Sequence, residues 1–133
     1  MCIFCKIANH EIPAQIVYED DEFIAFLDLT QTTLGHTLVI PKRHSKNIYE
    51  LNEEDATKIL LVVKKVALML KKAFNPIGIN IISNNERPLQ SVEHFHVHLI
   101  PRYEDDHFLI NFMDNSKKVN LQEIRQEIIN HNK

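Results

Sequence analysis

Clustered positive charge is the first thing missing from this chain. Fifteen Lys and Arg stand against eighteen Asp and Glu, and a formal charge of -3 at pH 7 leaves no basic footprint of the kind duplex nucleic acid requires. Small anionic ligands, which need only local charge, are not excluded. Long hydrophobic runs are missing too. The stretch Met1-Cys2-Ile3-Phe4-Cys5-Lys6 is interrupted early by a charge, so neither a signal peptide nor a membrane span is expected. Cysteine is scarce: Cys2 and Cys5 are too closely spaced for a loop-closing disulfide, and a reducing, cytoplasmic setting is expected. Repeats, low-complexity tracts and Gly/Ser linkers are absent, so residues 1–133 are expected to form a single domain, long enough to bury a core. The 44% apolar and 25% charged content is that of an ordinary globular protein.

What is present is periodic. Ile16 to Glu19 and Glu22 to Leu27 read as short strands joined at Asp20-Asp21, and Thr37 to Ile40, between Gly35 and Pro41, as a third. A short turn or helix is expected from Phe4 to Asn9. A long helix should start after Asn52, a good N-cap whose followers Glu53, Glu54 and Asp55 suit the positive helix end, and stop at Asn75-Pro76. Its apolar residues (Ala56, Ile59, Leu60, Val63, Val66, Ala67, Leu70 and Phe74) recur at helical spacing. Leu61, Val62, Leu68 and Met69 widen that stripe, which suits either full cover within the chain or a dimer face. Ile77 to Ser83 and His94 to Arg102 read as an antiparallel strand pair, and Leu121 to Ile129 as a second amphipathic helix, an extension over about 121–130. Strands, helix and more strands without strict alternation argue an α+β fold with an antiparallel sheet.

The chemistry concentrates in His94-Phe95-His96-Val97-His98. At about 3.3 Å per residue an extended chain places the three rings on one face, roughly 6.6 Å apart, with Phe95, Val97 and Leu99 turned into a core. Imidazole is partly uncharged at neutral pH, and crowded rings disfavour one another's charge, so one can act as a nucleophile on phosphorus while a neighbour holds an anionic oxygen. The rival reading is a metal centre formed by tilting the rings onto one ion. Cys2-x-x-Cys5 has the spacing of half a zinc site. With no further cysteine, His44 and His94 are the best candidates to complete it; a redox pair or two inert thiols are the alternatives.

The run His94 to Ile100 resembles the signature of the histidine triad (HIT) superfamily. Cys2 to Ile7, Glu11 to Ala14, Val17 to Asp20, Ala25 to Asp28, Gly35 to Lys42 and Gln90 to Val92 are similar to further blocks of that family, in its order. The resemblance implies a five-stranded antiparallel HIT-like sheet with one long and one or two shorter helices. It implies a nucleotide hydrolase or nucleotidyl transferase acting at the α-phosphate of a purine nucleoside phosphoramidate or a dinucleoside polyphosphate. His96 would be the nucleophile that forms a nucleotidyl-histidine. His98 and Ser91 would contact the phosphate, His94 would orient His96 through its carbonyl, and His36 would be a further pocket histidine. Asp28 would bond the ribose, while Ile3, Phe4, Ile7, Phe26 and Leu29 would line the base slot. The loop asparagine falls on Asn84 or Asn85, and Gln90 precedes the phosphate-contacting serine. The Cys-x-x-Cys branch implies a structural zinc ion on Cys2, Cys5, His44 and His94, with no catalytic cofactor, and the family implies a homodimer. A nucleotide-binding adaptor without turnover, or a hydrolase using the histidine row as metal ligands, are the alternative functions. One departure stands out. The loop Asn84 to Leu89 contains no glycine where many members have one, so any position there needing positive φ is strained and the leaving-group geometry is expected to differ.

Overall fold

The computed structural model describes residues 2–108 and 110–132. Helix α1 (Ile3–Ala8) starts at Cys2, whose sulfur accepts from the Cys5 amide at 3.3 Å, satisfying one of the donors a helix start leaves free. Strands β1 (Ile16–Glu19), β2 (Phe23–Leu27) and β3 (Thr37–Pro41) precede the long helix α2 (Glu53–Phe74); β4 (Gly78–Ile82) and β5 (Val97–Arg102) follow it, and α3 (Leu121–Asn130) lies near the C-terminus. The strands form a five-stranded sheet in the order β1-β2-β3-β5-β4, each neighbour antiparallel. This is the expected α+β architecture.

Both faces of the sheet centre are covered, which is why β2 and β3 read as unbroken apolar runs. Phe23 and Ala25 of β2, Val39 of β3 and Val97 and Leu99 of β5 pack with Ile59, Val62, Val63 and Val66 of α2. Their alternates Ile24, Phe26, Leu38 and Ile40 pack with Phe4, Ile7 and Ala8 of α1. On the α1 side, β5 contributes His98 in register with Leu38 of β3. The face of the sheet that carries His98 is therefore the one on which the short N-terminal helix packs.

Two local expectations need correction, one holds, and one burial was not foreseen. Strand β5 begins at Val97, not His94, because the Phe95 amide donates to Ser45 O at 2.7 Å, beyond the end of β3, and so leaves the ladder that ends at Val39 and Val97. Leu60, placed on the buried stripe of α2, is 68% exposed, and Leu61, Leu68 and Met69 are exposed with it, so the helix is not fully covered within the chain. Asp55, one of the acids expected in the first turn of α2, is there, but it is buried and takes two hydrogen bonds from Arg43. A buried carboxylate needs such a partner. The glycine-free loop does pass through the left-handed region, at Glu86 (φ 73°), and its amide donates to the Gln90 side chain at 2.9 Å. The strain expected of that loop thus falls on an ordinary side chain.

Candidate functional site

The peptide backbone assigns each histidine of the row a different task. His94 Nε2 lies 2.7 Å from Pro41 O, and His96 Nδ1 lies 2.7 Å from His94 O. A carbonyl only accepts, so both nitrogens carry the ring proton; His94 Nδ1 and His96 Nε2 are left with lone pairs. His98 is fixed from the other side. The Thr32 amide donates to His36 Nδ1 at 3.3 Å, which places the proton of His36 on Nε2, 2.9 Å from His98 Nδ1. His98 then accepts at Nδ1 and carries its own proton on Nε2. One row therefore presents a lone pair at His96 and a donor at His98, with ring centroids 5.0 Å apart.

All of these rings are held neutral near pH 7. Burial pushes His96 below the ordinary imidazole range, and pushes His98 down to about 4 with help from His96 and His36 and against the attraction of Asp28. Burial likewise lowers His36, again opposed by Asp28. Asp28 stays ionised: burial raises its pKa, but the Thr30 hydroxyl and amide, at 2.5 and 2.8 Å from Oδ1, outweigh that. Its Oδ2 lies 3.8 Å from His36 Nε2.

His96 and His98 open into a cleft of about 230 Å³ that is also lined by Ser91, Asp28, Leu29, Ile3, Phe4, Ile7 and Phe26. Phe4 stands edge-on to His96, with centroids 5.1 Å apart. The structure thus gathers most residues named from the sequence, although Leu29 is 96% exposed at the rim. His36, expected as a further pocket histidine, does not line the cleft but stands behind His98, and Asn84, Asn85 and Gln90 are not among the lining residues either. Asn85 accepts from the Ile48 amide at 2.7 Å, and buried Gln90 donates to Lys46 O and Val92 O at 2.7 and 2.9 Å, so both brace the loop instead. Sequence reasoning gave no site role to Pro13, Ala14, Leu27, Leu38 or Val92, which also line the cleft. Nothing in their types marks them; only the docking of α1 against β2 and β3 brings them to one wall.

The other end of the row forms a second cluster. Cys2 Sγ and Cys5 Sγ lie 3.3 and 3.5 Å from His94 Nδ1, Cys5 Sγ lies 3.4 Å from His44 Nδ1, and the two Nδ1 atoms are 3.2 Å apart. A tetrahedral ion with metal–sulfur distances of about 2.3 Å and metal–nitrogen distances of about 2.0–2.1 Å requires separations of roughly 3.3 Å between nitrogens and roughly 3.5 Å between nitrogen and sulfur, and the four distances above lie within about 0.2 Å of these. The lone pair of His94 Nδ1 faces into the cluster, as ligation demands. Burial, and then Cys2, push the Cys5 thiol up to about 11, a cost that a bound divalent cation offsets. His96 belongs to neither this group nor the Asp28, His36 and His98 group, so the row does not converge on one ion.

Comparison with known proteins establishes the family. The family profile described as HIT domain matches residues 9–105, and the chain belongs to the HIT family. The crystal structure of a HIT family member from Bacillus subtilis superposes with a TM-score of 0.91 at 42% identity, covering 97% of this chain and 95% of that one. The adenosine 5'-monophosphoramidase hnt1 of Schizosaccharomyces pombe is 42% identical over 109 residues, 81% of this chain and 79% of that protein. A Zn-bound histidine triad family protein from Mycobacterium smegmatis superposes with a TM-score of 0.76 at 31% identity, covering 88% of this chain and 86% of that one. Among the described residues no helix is long and apolar enough to cross a membrane.

Proposed function

We propose that this protein is a nucleotide hydrolase or nucleotidyl transferase that cleaves purine nucleoside phosphoramidates through a covalent intermediate on His96. The carrying observation is the 2.7 Å bond from His96 Nδ1 to His94 O, which leaves Nε2 unprotonated on a ring that lines the cleft. Nε2 attacks the α-phosphorus, the P–N bond breaks, and the amine departs with the proton of the N-protonated substrate. The imidazole becomes cationic as it bonds to phosphorus, and its Nδ1–H, already on a carbonyl, stabilises that charge. His98 Nε2–H and the Ser91 hydroxyl hold the phosphoryl oxygens. Water then displaces His96 and releases the nucleoside monophosphate and a proton. Splitting one displacement into two lowers each barrier.

A single phosphate suits the cleft better than a polyphosphate. No Lys or Arg is among its lining residues, its histidines are neutral, and Asp28 is anionic. Three or four phosphate charges would find no counter-charge there, whereas one phosphoramidate anion needs only neutral donors. The relative named as a phosphoramidase supports the same choice. Asp28 takes the ribose hydroxyls, and Ile3, Phe4, Ile7 and Phe26 sandwich the base. Zinc on Cys2, Cys5, His44 and His94 ties α1, which carries the base wall, to the carbonyl that orients His96; its role is structural, and no catalytic cofactor is needed. Two such chains pair through the uncovered leucines of α2 and the β4 edge, where Ile81 is half exposed.

The test is to mix the protein with adenosine 5'-phosphoramidate, quench in base and measure intact mass. A transient adenylyl adduct that maps to His96, together with released AMP, is expected. Binding without AMP release would replace the enzyme with a nucleotide-binding adaptor, and loss of turnover on chelation with the fold intact would point to metal catalysis.

A further inference from the structure

The loop from Asp28 to His36, between β2 and β3, carries two charged or titratable groups of the site, and its two ends are bridged by one side chain that is not among the residues lining the cleft or forming the Cys2, Cys5, His44 and His94 cluster. Gln31 adopts a left-handed backbone (φ 44°), which a residue with a Cβ takes only when its surroundings compensate. The compensation is its amide: Nε2 donates to Asp28 O and to His36 O, both at 2.7 Å, and Oε1 accepts from the Gly35 amide at 2.8 Å. The neck of the loop is closed by Asp28 N–H to His36 O at 3.0 Å. Turned this way, the next residue points its amide at His36, and that Thr32 N–H to Nδ1 contact is the one that decides where the His36 proton sits.

The consequence runs through two rings. With its proton forced onto Nε2, His36 donates to His98 Nδ1, and His98 must carry its proton on the opposite nitrogen. In the other tautomer a lone pair on His98 Nε2 would face an anionic phosphoryl oxygen, where a donor is required. Two other groups lie near His98: His96 is bonded to the backbone through Nδ1, and the Asp28 carboxylate, 3.8 Å from His36 Nε2, favours the same His36 tautomer that Thr32 selects. We propose that Gln31 is a positioning residue that, through Thr32 and His36, selects the phosphate-donating tautomer of His98. This rests on the proposed function only for its kinetic consequence; the tautomer itself is a property of the free protein.

Ring-nitrogen NMR on protein labelled with 15N at histidine reads the relay directly. The wild type should show His36 and His98 both protonated at Nε2 and unprotonated at Nδ1. Gln31→Met, similar in length but without hydrogen bonds, should give His98 a mixture of tautomers. It should also lower kcat for adenosine 5'-phosphoramidate about ten- to a hundredfold, the scale of a displacement of order 1 Å in a site, with KM changed less than threefold. Gln31→Glu should not rescue it, because a second carboxylate oxygen would confront two carbonyls. Should Gln31→Met not fold, Gln31→Glu serves as the second variant and the wild-type spectrum decides on its own. An Nδ1 proton on either wild-type ring, or unchanged tautomers in a folded Gln31 variant, overturns the proposal. The predicted tautomers in a wild-type protein that releases no AMP would instead leave the relay standing and remove the nucleophilic reading of His96.

Discussion

His94 and His98, four residues apart at the two ends of one row, are both buried enough that their pKa values fall to about 4, yet they do opposite things. His94 spends its proton on Pro41 O and turns its lone pair to two thiols and a third imidazole; His98 spends its lone pair on His36 and turns its proton to the cleft. Burial is common to both, so it cannot assign either role. The assignment comes from the hydrogen bond on the far side of each ring, and at His94 that is made by a backbone carbonyl. His96 lies between them and inherits its orientation from the His94 end, through the His94 carbonyl.

The sharpest way to break this comparison is to remove the middle ring. His96→Ala should lower turnover by about 10³-fold or more, equivalent to ~4 kcal/mol of barrier, measured as AMP release. The two ends should then separate. His98→Asn should cost on the order of 10²-fold in kcat, within the usual range for a positioned donor, and leave the melting temperature within a few degrees. Cys5→Ser should do the reverse first: bound zinc falls from one equivalent towards zero and the melting temperature drops by about 10 °C, since a ligand held only by the folded state stabilises it by mass action. If Cys5→Ser melted like the wild type, the two ends of the row would not differ in the way proposed.

Much of this was legible from spacing alone. Alternation predicted that Phe95, Val97 and Leu99 face a core, and helical periodicity with Asn52 and Asn75 as caps predicted α2 to the residue. What spacing could not give is which nitrogen of each ring faces which partner, because that depends on carbonyls and amides brought together by the fold: Pro41 O for His94, Thr32 N–H for His36. Nor could periodicity distinguish Leu60 from Val63, since both suit an amphipathic stripe and only the docking angle of α2 on the sheet decides which is covered. The burial of Asp55 was hidden for a related reason. An acid in a first helical turn is ordinarily solvated, and only the approach of Arg43 from beyond β3 makes its burial tolerable.

The smallest expected effect tests the His98 end through stability. A histidine whose pKa falls on folding binds fewer protons in the native state than in the unfolded chain, so acid favours unfolding. The contribution of His98 is complete above the unfolded value near 6.5 and is lost as pH falls towards about 4. His36 is shifted in the same direction by burial and adds to the slope, while Asp28, which attracts both protonated rings, reduces it. Thermal melts between pH 7 and pH 5 should therefore show a declining midpoint for the wild type and a shallower decline for His98→Asn. Asp28→Asn should steepen the decline, because removing the carboxylate lowers both ring pKa values further. A slope unchanged in all three proteins would mean that these rings are no harder to protonate folded than unfolded, and the neutral donor at His98 would lose its physical basis.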